Sequence, residues 1–154
     1  MINSILIIDD DNYKKKNIKE LVLSIDKTFI ISEEEAINPG LLDLRSSKYD
    51  LIILDMSLPV FSSSESSSFN PFGGIAILRE MRRKEITTPV IVVTQYEIFG
   101  EGEIQKTSKM IDEECKSKFD NYIGIVIYSS VNNEWKEKLV KMIGDIKNDN
   151  NTVC

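Results

Sequence analysis

The sequence predicts an α/β protein, a three-layer sandwich in which five helices cover a five-stranded parallel sheet. Three observations predict it. Four short apolar runs are continuous rather than alternating and rich in β-branched residues, as strands covered on both faces are. The segments between them carry apolar residues at helical spacing, so strand and helix alternate along the chain. The length of 154 residues suits one compact domain. We expect that domain over 1–147, followed by a disordered tail over 148–154.

Taken in order, Ile5-Leu6-Ile7-Ile8 is the first strand and runs into Asp9-Asp10-Asp11. Ile18, Leu21, Val22 and Ile25 form the inward stripe of the first helix. Thr28-Phe29-Ile30-Ile31 is a weaker run, suited to an edge strand. Asn38-Pro39 reads as an N-cap followed by proline at the first helical position, opening a short helix through Leu41, Leu42 and Leu44. Leu51-Ile52-Ile53-Leu54 is the third strand, and Ile75, Leu78 and Met81 stripe the third helix. Pro89-Val90-Ile91-Val92-Val93 is the fourth strand. A less apolar helix is expected from about Ile104 through Ile111, Cys115 and Phe119. The fifth strand spans Tyr122 to Tyr128. Asn133 can cap the last helix, whose stripe is Trp135, Leu139, Met142, Ile143 and Ile146.

Composition excludes several chemistries. The net charge is −6, from 19 Lys plus Arg against 25 Asp plus Glu, which argues against nucleic-acid and anionic-membrane partners. The basic runs Lys14-Lys15-Lys16 and Arg82-Arg83-Lys84 fall in helices and read as solvated faces. With no histidine, every site built on Ser-His-Asp, Cys-His or His-ligated metal is removed. Cys115 and Cys154 lie far apart, so neither a redox motif nor a disulfide framework is indicated. No basic leader and no run of some 18 apolar residues occurs, and a cytoplasmic protein is the expectation.

Open parallel sheets bind ligands at the carboxyl ends of their strands, where strand order reverses. In the flavodoxin-like order 2-1-3-4-5, the first and third strands meet at that point, so Asp9, Asp10 and Asp55 converge. Single acids often decorate strand ends because loops are polar. A pair, a third acid and the hydroxyl of Thr94 at matching strand ends favour a site instead. Three close carboxylates repel, and a hard divalent cation such as Mg²⁺ would hold them together.

These residues resemble the receiver domain of bacterial two-component response regulators, from Ile5 to about Ile146. The resemblance rests on Ile5-Leu-Ile-Ile-Asp9-Asp10, on Asp50-Leu-Ile-Ile-Leu-Asp55-Met-Ser-Leu-Pro59, on Gly73-Gly74-Ile-Ala-Ile-Leu-Arg-Glu-Met-Arg82, and on Pro89-Val-Ile-Val-Val-Thr94. It implies that Asp55 is the phosphoacceptor and that Asp9, Asp10, Asp55 and the Ser57 backbone carbonyl hold Mg²⁺. Thr94 would contact the phosphoryl group and act as the switch. The implied protein is a stand-alone member of a phosphorelay that catalyses only its own phosphorylation and dephosphorylation. A histidine kinase or phosphotransfer protein would be the donor, and an effector would be regulated in trans; a homodimer is compatible with that role.

The pattern also departs from the family. Receivers carry a lysine and then a proline at the end of the fifth strand, where this chain has Ile127-Tyr128-Ser129-Ser130-Val131. Tyr128 is either a switch residue or simple packing. Lys14, one turn before Ile18 on the inward stripe, can supply the missing positive charge, unless it is merely an exposed lysine at a helix start. Gln95, after Thr94, is bulkier than usual and would narrow access. The segment 56–72 is long and Ser-rich, a flexible insertion whose flanks Val60-Phe61 and Phe69-Asn70-Pro71-Phe72 can dock a partner or cover the crevice. Phe99-Gly100-Glu101-Gly102-Glu103 reads as a second mobile loop.

Two other functions remain open at this level. One is a pseudo-receiver, a binding module that keeps the fold without cycling phosphate, motivated by the missing lysine. The other is a phosphatase of the haloacid dehalogenase type, with Asp9 as nucleophile and Asp11 as general acid; Tyr13 breaks that pattern and Asp55 would have no role.

Overall fold

The computed structural model describes residues 2–61 and 68–152, with side chains through 149. In chain order the elements are β1 (Ser4–Ile8), α1 (Asn12–Ile25), β2 (Ile30–Glu34), α2 (Ile37–Ser46), β3 (Leu51–Leu54), β4 (Leu58–Pro59) and β5 (Phe69–Asn70). They continue with α3 (Gly73–Arg83), β6 (Val90–Thr94), β7 (Ile98–Phe99), β8 (Lys106–Thr107), α4 (Ser108–Lys118), β9 (Tyr122–Ile127) and α5 (Glu134–Thr152). The main sheet is parallel throughout, in the order β2-β1-β3-β6-β9. Counting only its own strands, this is the expected order 2-1-3-4-5.

Alternation within the strands builds the two covered faces. Leu6, Ile8, Ile52, Leu54, Val90 and Val92 pack under α2, α3 and α4. Ile5, Ile7, Leu51, Ile53, Ile91 and Val93 pack under α1 and α5. Both sets are buried, so β1, β3 and β6 are apolar through their central positions on both faces and no polar–apolar alternation survives there. Register then aligns the site: Ile8 pairs with Leu54, which puts Asp9 and Asp55 at the same level just beyond two adjacent strands.

Several boundaries differ from expectation. β2 begins at Ile30 and runs through Ser32, Glu33 and Glu34, because an edge strand is paired on one side only and its outer half tolerates polar residues. Helix α2 starts at Ile37 after the N-cap Ala36, so Asn38 and Pro39 lie inside its first turn. Proline is tolerated there because the first turn leaves its N–H groups without helical partners. The Asn38 N–H is instead taken up by the Val60 carbonyl.

The segment expected to open the fourth helix folds otherwise. Ile104 sits in a 3₁₀ turn, and α4 starts only at Ser108, where the Thr107 hydroxyl accepts from the Met110 N–H at 3.2 Å. The loop expected around Phe99 is part of an antiparallel hairpin, β7 with β8, with Phe99 buried. The Ser-rich insertion likewise has a structured base, since β4 and β5 pair as a second hairpin. Its middle, 62–67, lies outside the described residues. The tail expected to be disordered from 148 is helical through Thr152, as each residue added to an existing helix gains a backbone bond for little further ordering. Among the described residues no helix is long and apolar enough to cross a membrane.

Candidate functional site

The site lies where β1 and β3 end. Asp9 and Asp55 are the first residues beyond their strands, tied into the sheet by backbone bonds from Asp9 N to the Glu34 carbonyl and from Asp55 N to the Ile8 carbonyl. Asp11, next along, caps α1 by accepting from the Lys14 N–H at 3.1 Å. Asp9 Oδ1 accepts from the Asp11 N–H at 2.9 Å and Asp55 Oδ1 from the Met56 N–H at 2.8 Å, so both carboxylates are held in orientation.

Asp9 and Asp55 are buried and Asp10 is exposed, yet oxygen atoms of all three lie within 4.8 Å of one another. That all-oxygen set fits a hard divalent cation, and an open side at Asp10 leaves room for water ligands. Ser57 is buried two residues beyond Asp55, and its hydroxyl donates to the Pro71 carbonyl at 3.1 Å, anchoring the loop to the β4–β5 hairpin. Thr94 ends β6, fully buried, with its hydroxyl accepting from the Tyr96 N–H at 3.4 Å.

Lys14 is the residue that changes the picture. The reading of Lys14-Lys15-Lys16 as a solvated face fails for its first two members, which are buried; Lys16 is exposed. Lys14 Nζ lies 2.7 Å from Asp9 Oδ2 and 3.3 Å from Asp55 Oδ2. Lys15 turns the other way, toward Glu35 at 3.8 Å. The helix geometry explains it: side chains of a first turn lean back toward the helix start, and the start of α1 is the end of β1. Arg82, Arg83 and Lys84 do form a solvated face.

The electrostatics follow from burial and this one cation. Burial pushes the Asp55 carboxyl up to about 6, with Lys14 opposing the rise and Asp9 adding to it. Asp9 is raised by burial, again against Lys14. Asp10 is raised by burial and then by its neighbour Asp9. Burial works against the Lys14 ammonium, but Asp55 and then Asp9 outweigh it and hold its pKa above the ordinary value.

A match to the response regulator receiver domain model covers residues 5–107. The chain belongs to that family. The receiver is 30% identical over 150 residues to the Detocs response regulatory protein DtcB of Enterobacter cloacae, a match covering 92% of this chain and 99% of the relative. It is also 30% identical over 136 residues to the uncharacterized protein y4jR of Sinorhizobium fredii, covering 85% and 90%. Among solved structures, the receiver domain of the Francisella response regulator 1452 superposes with a TM-score of 0.62 at 20% identity, covering 96% of this chain and 98% of that one. At such identity the structural likeness establishes the fold, and the sequence relatives establish the family.

Within this receiver, the end of β9 differs from the family pattern as expected: Tyr128 follows Ile127, with no lysine. Tyr128 is buried against Trp135, with ring centroids 4.8 Å apart, and accepts from Asn17 Nδ2 at 2.8 Å. That supports packing over switching. Asn17 escaped the sequence reading because a lone asparagine in a helix carries no signal of its own. Gln95 is exposed and bonds Tyr96, on the rim of a cleft shared with Asp11 and Tyr128. Asp11, the general acid of the phosphatase alternative, is occupied as a helix cap. On the other flank, Phe69, Pro71, Tyr96, Phe99 and Ile104 line an apolar cleft between the two hairpins beside Ser57.

Proposed function

We propose that this receiver is a phosphoacceptor in a phosphorelay, with Asp55 taking the phosphoryl group and Asp9, Asp10, Asp55 and the Ser57 carbonyl forming a Mg²⁺ site. The observation that carries the reading is the convergence of the three carboxylates at the β1–β3 switch point with Asp55 oriented by the Met56 N–H. In the transfer an Asp55 oxygen attacks phosphorus, a new O–P bond forms, and the donor's bond to phosphorus breaks, its electron pair leaving with the donor. When bound, Mg²⁺ supplies neutralisation of the phosphoryl and carboxylate charge. The chain's own residues hold the nucleophile, exclude water over Asp9 and Asp55, and present Thr94 from the neighbouring strand.

The donor is a histidine kinase or phosphotransfer protein, as membership of the receiver family implies, and the absence of histidine from this chain is consistent with a separate donor. Signalling in trans is supported by the Enterobacter cloacae response regulatory protein, 99% of whose length this domain matches. The pseudo-receiver reading draws on one observation, the absent lysine after β9. Intact mass after incubation with acetyl phosphate and Mg²⁺ separates the two. A phosphoryl-sized gain that needs Mg²⁺ and is lost in Asp55→Ala is the expected result. No gain from acetyl phosphate, or from a histidine phosphotransfer domain, moves the pseudo-receiver reading to the front.

A further inference from the structure

We propose that Lys14, delivered from the first turn of α1, is the phosphoryl-contacting cation of this receiver, doing from the opposite side what the family does with a lysine after the last strand. The inference rests on the phosphoacceptor reading and deepens it. Three observations carry it. Lys14 is fully buried, and among the described residues it is the one cation ion-paired to Asp9 or Asp55. The β9 end contributes Tyr128 to the core, with its hydroxyl committed to Asn17, so that strand supplies no positive charge. The Nζ stands 3.3 Å from Asp55 Oδ2, close enough for a side-chain rotation, without backbone movement, to reach an oxygen of a phosphoryl group on Asp55.

Charge decides the direction of movement. Before phosphorylation Lys14 shares itself between two carboxylates. Phosphorylation replaces the single carboxylate charge of Asp55 with about two negative charges on the phosphoryl oxygens, a net gain of about one, which draws the ammonium from Asp9 toward the new oxygens. The same contact makes Lys14 a competitor of any divalent ion that needs Asp9 and Asp55. Lys14 should therefore oppose Mg²⁺ in the resting protein and favour phosphate in the loaded one.

Those two effects have opposite signs, which a purely structural lysine would not produce. The test compares the parent with Lys14→Gln and Lys14→Arg. Mg²⁺ affinity is read by calorimetry, and beryllofluoride, a phosphoryl mimic, by ¹⁹F resonance at saturating Mg²⁺. Lys14→Gln should bind Mg²⁺ several-fold more tightly and beryllofluoride about tenfold or more weakly. Saturating Mg²⁺ offsets the carboxylate charge that glutamine leaves unpaired, and Trp135 emission reports folding. If Lys14→Gln does not fold even then, Lys14→Arg decides: the bound fluorine resonances should move, because a different group contacts them. Unchanged beryllofluoride affinity in a folded Lys14→Gln, weakening of both ligands together, or unmoved resonances in Lys14→Arg overturns the assignment. A parent that refuses beryllofluoride and acetyl phosphate overturns the phosphoacceptor reading itself, and the assignment with it.

Discussion

Tyr128 and Asn17 join the end of β9 to the middle of α1 through a hydrogen bond of 2.8 Å from the asparagine amide to the phenol oxygen. The bond is part-buried, and it ties together two elements that flank the carboxylates. Tyr128→Phe removes the acceptor and keeps the ring against Trp135. We expect a loss of about 1 kcal/mol in unfolding free energy. Urea unfolding followed at Trp135, the chain's single tryptophan, measures it.

Asp55 gives a pH dependence of defined sign. Its folded pKa, about 6, lies above its ordinary value of 3.8, so the fold favours the protonated form. Its contribution is therefore favourable at low pH and is lost as pH rises from about 4 through about 6. Asp55→Asn should stabilise the metal-free protein by about 2 kcal/mol at pH 7, and the gain should vanish near pH 4. Chemical unfolding of the pair across that range, with a chelator present, is the check. Phosphoryl acceptance at low Mg²⁺ should rise with pH through about 6, since only the carboxylate attacks.

Gly74 opens α3 against the phosphoacceptor loop. Its N–H donates to the Met56 carbonyl at 2.8 Å, and a Cβ there would come within 2.9 Å of the Asp55 carbonyl oxygen. The clash is with backbone, so the loop carrying Asp55 must shift. Gly74→Ala should cost about 1–3 kcal/mol and slow phosphoryl acceptance about tenfold or more. Gly144, in α5 with nothing near, is the control: Gly144→Ala should stabilise by up to about 1 kcal/mol.

Cys115 is buried on the inner face of α4, and burial pushes its thiol up to about 12. At pH 8 iodoacetamide should leave it unmodified in the folded protein and alkylate it in urea. Peptide mapping distinguishes it from Cys154. Alkylation of Cys115 under native conditions would mean that α4 opens from the sheet.

Much of the site was legible because strand ends are legible. Asp9, Asp55 and Thr94 each terminate an apolar run, and parallel order alone brings such ends to one edge. Lys14 was legible only as a possibility. Its place on the stripe of Ile18 and Val22 aimed it inward, but whether it met the aspartates or water depended on how α1 crosses β1. The hairpins were not legible. Leu58-Pro59 and Phe69-Asn70 are too short to show a period, and each exists only because the other pairs with it. The start of α4 was misplaced for a similar reason: Ile104 has an apolar side chain at helical spacing, but the Thr107 hydroxyl and the β7–β8 pairing delay the helix to Ser108.

Local patterning thus settled the class of this protein: buried strands must be apolar throughout, helices over them must carry stripes, and the alternation of the two forces a parallel sheet with its acids at one end. Those are properties of short windows, and a single chain displays them. Which cation answers the acids is a different kind of fact. It depends on the crossing of α1 over the sheet, on the register of β1 against β3, and on Tyr128 turning into the core instead of toward Asp55. Side-chain encounters between residues distant in the chain are set by packing, which is why the Lys14 ion pairs with Asp9 and Asp55 emerged only from the folded arrangement.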